Sequence, residues 1–482
     1  MAGRSASLGV LVTIALAAFV TALDNTVVNV ALPSIQRDLG SHVSGLQWIA
    51  TSYILAFASL LLAGGRLTDL YGRRRIFLIG LGLFGVASLL AGVASSSEFL
   101  VIARVLQGAG AALVLPATLA VLSADLAGAS RHLGAGVFTA AIALALALGP
   151  VVGGAISQYW QWSWIFFLNV PLGVLTMGLG CLTIGRGSDG PRDRIDVGGL
   201  LTSAVAMAAL TYALIEGNEK GYSAADIRVG FGVALLGAVA FVLVERRARA
   251  PMVDVALFAN RVFSGGTAAQ VLWGLGINGV FFFTSLFLQD VLGLSPTAAG
   301  TMFAPLAVVL ILAVPVAPLL ATRVGVHWTV AGGMALIAGG LIWVSFVGRG
   351  DPAVALLPGL ALIGLGSALT TPLTSAVLEV VPAAKAGVAA AVISTAREIS
   401  GVLGIALTGA VVAARQAAAA SDGVGQLDAF ASGYATGLWC SAALTTLGGI
   451  ISLVTLRPPV PLITGADPTA EEAEAPALTP VP

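Results

Sequence analysis

The stretch that decides the fold is LGVLVTIALAAFVTALDNTVVNV, Leu8 to Val30. It exceeds the about 20 apolar residues that a helix needs to cross a bilayer, and it carries one acid, Asp24, deep inside it. A carboxylate near the middle of such a helix costs roughly 2.5–3.5 kcal/mol on insertion scales. Side chains of this kind face a protein cavity or a polar pathway rather than lipid. Removal from water penalises the charged form, which suits a carboxyl group to a protonation cycle. A structural acid bonded to a neighbouring helix is the plainer alternative. Asp24→Asn is expected to spare the fold while stopping any proton cycle.

Composition extends this reading to the whole chain. Of 482 residues, 58% are hydrophobic and 10% charged, with a mean hydropathy of +0.99. Soluble domains carry about 25% charged residues. The chain is therefore an integral membrane protein, with the lipid bilayer as its solvent and no expected nucleic-acid partner. Its 60 glycines suit helices that pack closely inside lipid. The first apolar run is too long for a signal-peptide core and is followed by others, so it is expected to remain as the first helix. Cys181 and Cys440 lie in separate apolar runs without C-x-x-C spacing. Neither a disulfide framework nor a metal site is expected.

Apolar runs of about 18 residues or more place fourteen spans at 8–30, 48–65, 76–94, 98–122, 133–157, 164–184, 197–215, 227–244, 265–288, 300–321, 327–347, 353–378, 387–413 and 433–456. With both termini cytoplasmic, sixteen Lys and Arg residues fall in cytoplasmic segments. Five fall outside: Arg37, Lys220, Arg228, Arg349 and Arg415. That is a strong positive-inside bias, and removing one span would reverse it for part of the chain. The chain divides into a six-helix bundle (1–184), linkers with two inserted helices (185–262), a second six-helix bundle (263–457) and a disordered cytoplasmic tail (458–482). Six plus two plus six suggests a pseudo-symmetric transporter. The internal repeat is faint: GRLTDLYGRRR at Gly65 to Arg75 is matched by LLATRVGVHW at Leu319 to Trp328 only in Arg323 and Gly325.

In the first of these loops, Gly65 and Gly72 permit a tight turn, and Asp69 can accept from a neighbouring arginine or from a helix N-terminus. Arg104 lies in RVLQGAGAA, about six residues or roughly 9 Å below the outer boundary of span four. It either snorkels to the surface or serves a function beside Gln107. Span five carries a stripe of Ala141, Ala145, Gly149 and Gly153, and Pro150 is expected to kink it. A tight seam with a bend suits the moving interface between bundles; plain helix packing is the alternative. Span thirteen holds Arg397 and Glu398 in STAREISG. Neighbours lie about 100° apart on a helix, so the two are not expected to close on each other. Phe281, Phe282 and Phe283, with Asn278 and Gln289, line either an apolar pocket or the lipid face.

These motifs resemble the major facilitator superfamily, in particular its fourteen-helix drug:proton antiporter branch. LDNTVVNVALPSIQRDL at Leu23 to Leu39 is similar to that branch's helix-one signature, GRLTDLYGRRR to the superfamily's loop motif, and RVLQGAGAA to its helix-four motif. GPVVGG at Gly149 to Gly154 resembles the antiporter motif, with Ala145 where the pattern usually has Gly. ALIEGNEKGY and FLQDVLGLSPTAAG also fit the branch. The resemblance covers residues 10–456. It implies an all-α integral membrane fold with two six-helix bundles and two inserted helices. It also implies Asp24 as coupling or substrate acid, Arg104 as proton-relay arginine, and Gly65, Asp69, Gly72 and Arg73 as a conformational latch. Gly149, Pro150, Gly153 and Gly154 carry over as the antiporter motif. STAREISG departs from the branch by having Ser394 where an Asn is usual, which leaves Arg397 and Glu398 less defined.

The implied function is a proton-coupled antiporter that exports an amphipathic drug or antibiotic across the bacterial cytoplasmic membrane, acting as a monomer without a cofactor. Export of a lipid or endogenous metabolite by the same fold is the alternative; a non-transporting sensor fits less well. An ATP-driven pump is disfavoured, because Lys220 and Lys385 are the only lysines and neither lies in a phosphate loop. An enzyme is disfavoured because His42, His132 and His327 are scattered. The Ala/Gly/Arg-rich, Lys-poor composition fits a high-GC bacterium and a small set of antibiotic-like substrates.

Overall fold

The computed structural model describes residues 2–126, 129–185, 196–248, 253, 255–382 and 385–457. All fourteen expected spans are helical, the tenth of them in pieces. The first bundle contains α1 (Leu8–Leu39), α2 (Val43–Tyr71), α3 (Arg73–Gly92), α4 (Ser97–Asp125), α5 (Leu133–Tyr159) and α6 (Trp164–Thr183). The inserted pair is α7 (Val197–Lys220) and α8 (Ala225–Arg247), packed on each other. The second bundle contains α9 (Arg261–Val291), α10 (Pro296–Ala313), α11 (Val326–Ser345), α12 (Ala353–Glu379), α13 (Val388–Ala419) and α14 (Gln426–Thr455). No strand occurs among the described residues. The expected tail from 458 and the linker 186–195 lie outside them.

Several helices outrun their apolar stretches. The first continues through Pro33 to Leu39, because protein neighbours rather than lipid cover its outer end and polar residues are tolerated there. The expected span 300–321 arrives in pieces instead: Pro296–Met302, Ala304–Ala313 and Val316–Val324. Pro305 and Pro315 sit at the breaks, and each lacks the N–H that would continue the ladder. Helix α5, by contrast, runs through Pro150 without a break, so the expected kink does not interrupt it.

The faint repeat is a backbone repeat. Gly72 ends α2 at φ 86°, ψ 138° and donates to Thr68 O. Gly325 adopts φ 93°, ψ 147° ahead of α11 and donates to Ala321 O. Glycine is required at both because other L residues are strained at such φ values. The same turn is thus built twice, from sequences that share little more than that glycine.

Packing differs between the two ends of the molecule. Near the arginine-rich loops each bundle has a separate core. One is built around Val10, Ile14, Phe77, Val114 and Val121, the other around Phe263, Val330, Met334, Val377 and Ile393. At the opposite, outer end a single core runs through both bundles, joining Leu23, Val27, Val30 and Leu46 to Phe283, Leu286, Phe303 and Ile405. Hydrogen bonds cross the bundles there: Gln47 Nε2 to Ile405 O at 3.0 Å, Gln289 Nε2 to Val30 O at 2.9 Å, and Thr297 N to Gln158 Oε1 at 3.1 Å. The bundles meet at the outer end and keep separate cores at the other. Helix α7 packs on both α2 and α13 and is tied to α2 by Ser44 Oγ to Glu219 Oε1 (2.6 Å) and Trp48 Nε1 to Glu216 Oε1 (3.0 Å).

Candidate functional site

Asp24 sits where four other helices of the first bundle converge on α1. Its Oδ2 accepts from Arg104 Nη1 on α4. Its Oδ1 accepts from Asn169 Nδ2 on α6 at 2.6 Å and from Gln107 Nε2 on α4 at 3.1 Å. Arg104 also donates to Gln107 Oε1 (3.1 Å) and to Ile49 O on α2 (3.3 Å), and Gln107 reaches Ser88 Oγ on α3 (2.9 Å). The guanidinium lies 4.4 Å from the centre of the Tyr53 ring, within the range of a cation–π contact. Asp24 is 2% exposed and Arg104 0%. The snorkelling alternative for Arg104 is therefore excluded, and the partner that Asp24 needed is named.

The glycines of RVLQGAGAA explain how α4 comes so close. A Cβ on Gly108 would fall on Tyr53 O of α2, and one on Gly110 would crowd Phe84 and Gly80 O of α3. Close approach delivers Arg104 and Gln107 to the acid. Asn169, Tyr53 and Ser88 are the members that sequence reasoning missed. The signal for Asn169 was an amide inside the apolar run of span six, two residues before Pro171. Nothing in the sequence separates Tyr53 from an ordinary core ring.

The pair on α13 is built differently. Arg397 Nη2 lies 2.9 Å and Nε 3.2 Å from Glu398 Oε1, so the expectation that the two would not close on each other is wrong. The long arginine side chain curls around the helix, which the angle between Cβ positions does not forbid. Their side chains are 51% and 19% exposed. Of the aromatic run, Phe282 and Phe283 are fully buried, and Phe283 lines a cavity at the outer end.

GPVVGG divides its work between two faces. On one, a Cβ at Gly149 would strike Thr26 and one at Gly153 would strike Val27 O, so the Ala141–Gly153 stripe packs α5 onto α1 inside the first bundle. On the other, a Cβ at Gly154 would strike Pro296 O, and one at Gly300 would strike Pro150 O, closing α5 onto α10 of the second bundle. The stripe is thus internal, and the interface between bundles falls to Pro150 and Gly154. In the loop after α2, Arg73 is engaged with Asp125 at the end of α4, at 3.0 and 2.5 Å. Asp69 is exposed and makes no hydrogen bond or ion pair among the described residues. The structure does not bring Asp69 and Arg73 together. Gly65 has only Pro116 near its missing Cβ. No group of three or more His, Cys, Asp or Glu that could hold a metal occurs among the described residues.

Residues 14–405 match the Major Facilitator Superfamily. The chain is 36% identical over 406 residues to the multidrug resistance protein Stp of Mycobacterium tuberculosis (strain CDC 1551 / Oshkosh), across 84% of this chain and 75% of that one. It is 34% identical over 482 residues to the puromycin resistance protein pur8 of Streptomyces alboniger, across 98% and 94%. In fold it is similar to a bacterial homologue of the human lysosomal transporter Spinster in an inward-facing and occupied conformation. That likeness has a TM-score of 0.67 at 15% identity, over 92% of this chain and 96% of that one.

Proposed function

The chain belongs to the Major Facilitator Superfamily, and from that premise we propose that it is a proton-coupled antiporter exporting drugs or antibiotics from the cytoplasm by alternating access. The observation that carries this reading is the buried network of Asp24, Arg104, Gln107 and Asn169. A buried ion pair is a poor way to gain stability, since its desolvation cost can exceed its Coulombic gain. It is well suited to a switch. Protonating Asp24 removes the charge that holds Arg104, and those two residues link α1 to α4, with α2, α3 and α6 bonded to the same cluster. Proton count and helix packing are coupled through it.

The two ends supply the second half of the mechanism. Separate cores near the arginine-rich loops leave the cytoplasmic side free to receive cargo, while Gly154 against Pro296 and Gly300 against Pro150 close the outer side. Export then requires the α5–α10 seam to open and the inner ends to meet, with Asp69 latching the loop in that second arrangement. Cargo is an amphipathic small molecule. Glu398 and Arg397 offer it either sign of charge. Relatives named for puromycin and multidrug resistance favour a drug over a lipid. The protein works as a monomer in the bacterial cytoplasmic membrane.

The test uses everted vesicles with an acidified lumen. Wild type should drive a fluorescent drug into the lumen, and Asp24→Asn should not, at equal amounts of membrane protein. Pumping by Asp24→Asn at the wild-type rate per molecule would make Asp24 structural and the coupling proposal wrong.

A further inference from the structure

A cavity of about 210 Å³ lies at the outer end, where α2, α7, α9, α13 and α14 meet. Its walls come from both bundles and from the inserted hairpin. Gln47 of α2 and Phe283 of α9 line it, Glu219 of α7 supplies a carboxylate, and Ala413 of α13 and Phe430 of α14 contribute apolar surface. Gln47 is 1% exposed and is held by its bond to Ile405 O across the bundles. The fit is close: a Cβ on Gly409 would fall on Gln47 Nε2. Such a cavity exists only while the outer ends of the bundles are together.

The chemistry of the lining is one-sided. Glu219 is the one acid, and no Lys or Arg lines the cavity. Its Oε1 accepts from Ser44 Oγ at 2.6 Å. The neighbouring Lys220 is turned away toward Glu216 and Asp226, at 3.3 and 3.2 Å. His42 is the remaining titratable group in the lining. Gln47 Oε1 accepts no hydrogen bond among the described residues. Phe283 and Phe430 add ring faces that attract a cation as well as an apolar body. Pockets for drug-sized molecules measure roughly 300–1,000 Å³, so the volume suits a smaller cation with a single ring.

We propose that this outer cavity binds a small organic ammonium ion carrying an apolar ring, and that its occupancy holds the outer ends of the two bundles together. The site lies apart from the Asp24 network, and none of the residues assigned to coupling lines it. Binding stands on the cavity alone. Its effect on transport, trapping the molecule open to the cytoplasm, rests on the alternating-access reading.

The probe is benzyltrimethylammonium, whose charge is fixed, titrated calorimetrically at pH 8 into the purified full chain in a neutral maltoside detergent without amine lipid. Saturable binding is expected for wild type and none for neopentylbenzene, the uncharged analogue of the same shape. Glu219→Gln should weaken binding at least tenfold. Ala413→Trp, which fills the cavity and keeps the carboxylate, should abolish it. Gly154→Trp, which cannot close against Pro296 yet leaves the lining untouched, should abolish it too; Gly300→Trp replaces that variant if it does not give a monodisperse protein. Competition by added phosphatidylethanolamine but not phosphatidylglycerol would support the same chemistry with a headgroup amine as occupant. Absence of saturable binding to wild type, or unchanged binding by Glu219→Gln, overturns the site. Unchanged binding by the seam variant overturns its dependence on the closed outer end. Should the vesicles fail to pump drug while binding follows the expected pattern, the transport reading falls and the site remains.

Discussion

The two bundles each hold an acid and an arginine inside the membrane domain, and they hold them in opposite ways. Asp24 and Arg104 come from different helices, are shut away from solvent, and share hydrogen bonds with Gln107, Asn169 and Ile49. Arg397 and Glu398 are neighbours on one helix, pair only with each other as acid and base, and keep half of the arginine exposed. The first pair ties helices together. The second ties nothing and is free to meet whatever enters the space it faces. Position in the membrane therefore does not by itself define the role of a charge; what it is bonded to does.

The comparison is most sharply tested by breaking the first pair one charge at a time. Arg104→Met leaves Asp24 buried without its cation, and Asp24→Asn leaves the guanidinium without its anion. Each should cost about 3–5 kcal/mol, the range for one half of a buried pair left alone. The expectation that Asp24→Asn spares the fold thus needs revision, because it ignored a partner that was not yet identified. The double variant Asp24→Asn/Arg104→Met should regain most of that loss and still not transport. Unfolding in detergent reads the first effect and vesicle pumping the second. Equal instability of single and double variants would mean that the pair is not a unit.

How far the sequence carried this site depends on the residue. Asp24, Arg104 and Gln107 stand out because charge and amide groups are costly in apolar spans. Ser88 does not, since many helical hydroxyls here simply donate to the carbonyl four residues back, as Ser88 does to Phe84 O. The glycines were visible as a stripe, but whether Gly154 faces α1 or α10 depends on how helices far apart in sequence are arranged. Fourteen spans could be read because each is a predominantly apolar run of the required length. Which end the bundles share was hidden, because the same apolar residues build separate and common cores alike.

The second pair supplies the intermediate effect. Glu398→Gln should change unfolding by no more than about 1 kcal/mol, the usual range for a pair this exposed. Its consequence should appear in cargo choice instead. A sensitive host carrying the variant should lose protection against cationic compounds such as ethidium and keep protection against uncharged antibiotics. If unfolding shifts as far as it does for Arg104→Met, the contrast between the pairs disappears. If protection against all drugs falls together, Glu398 serves coupling rather than cargo.

Asp69 sets the lower limit of the comparison, as a charge with no partner in this arrangement among the described residues. Arg73 nearby is already committed to Asp125 with both of its carboxylate oxygens. Removing a group that bonds to nothing leaves the state it stands in unchanged. Asp69→Asn should therefore unfold with wild type and bind drug with wild-type affinity from the cytoplasmic side. Any effect has to come from the arrangement in which the inner ends meet, where Asp69 would find a helix N-terminus or an arginine on the second bundle. The expected outcome is slower turnover at unchanged affinity, read as the maximal rate against the concentration dependence of pumping. A variant that binds drug more weakly and turns over normally would place Asp69 with the cargo and remove it from the latch.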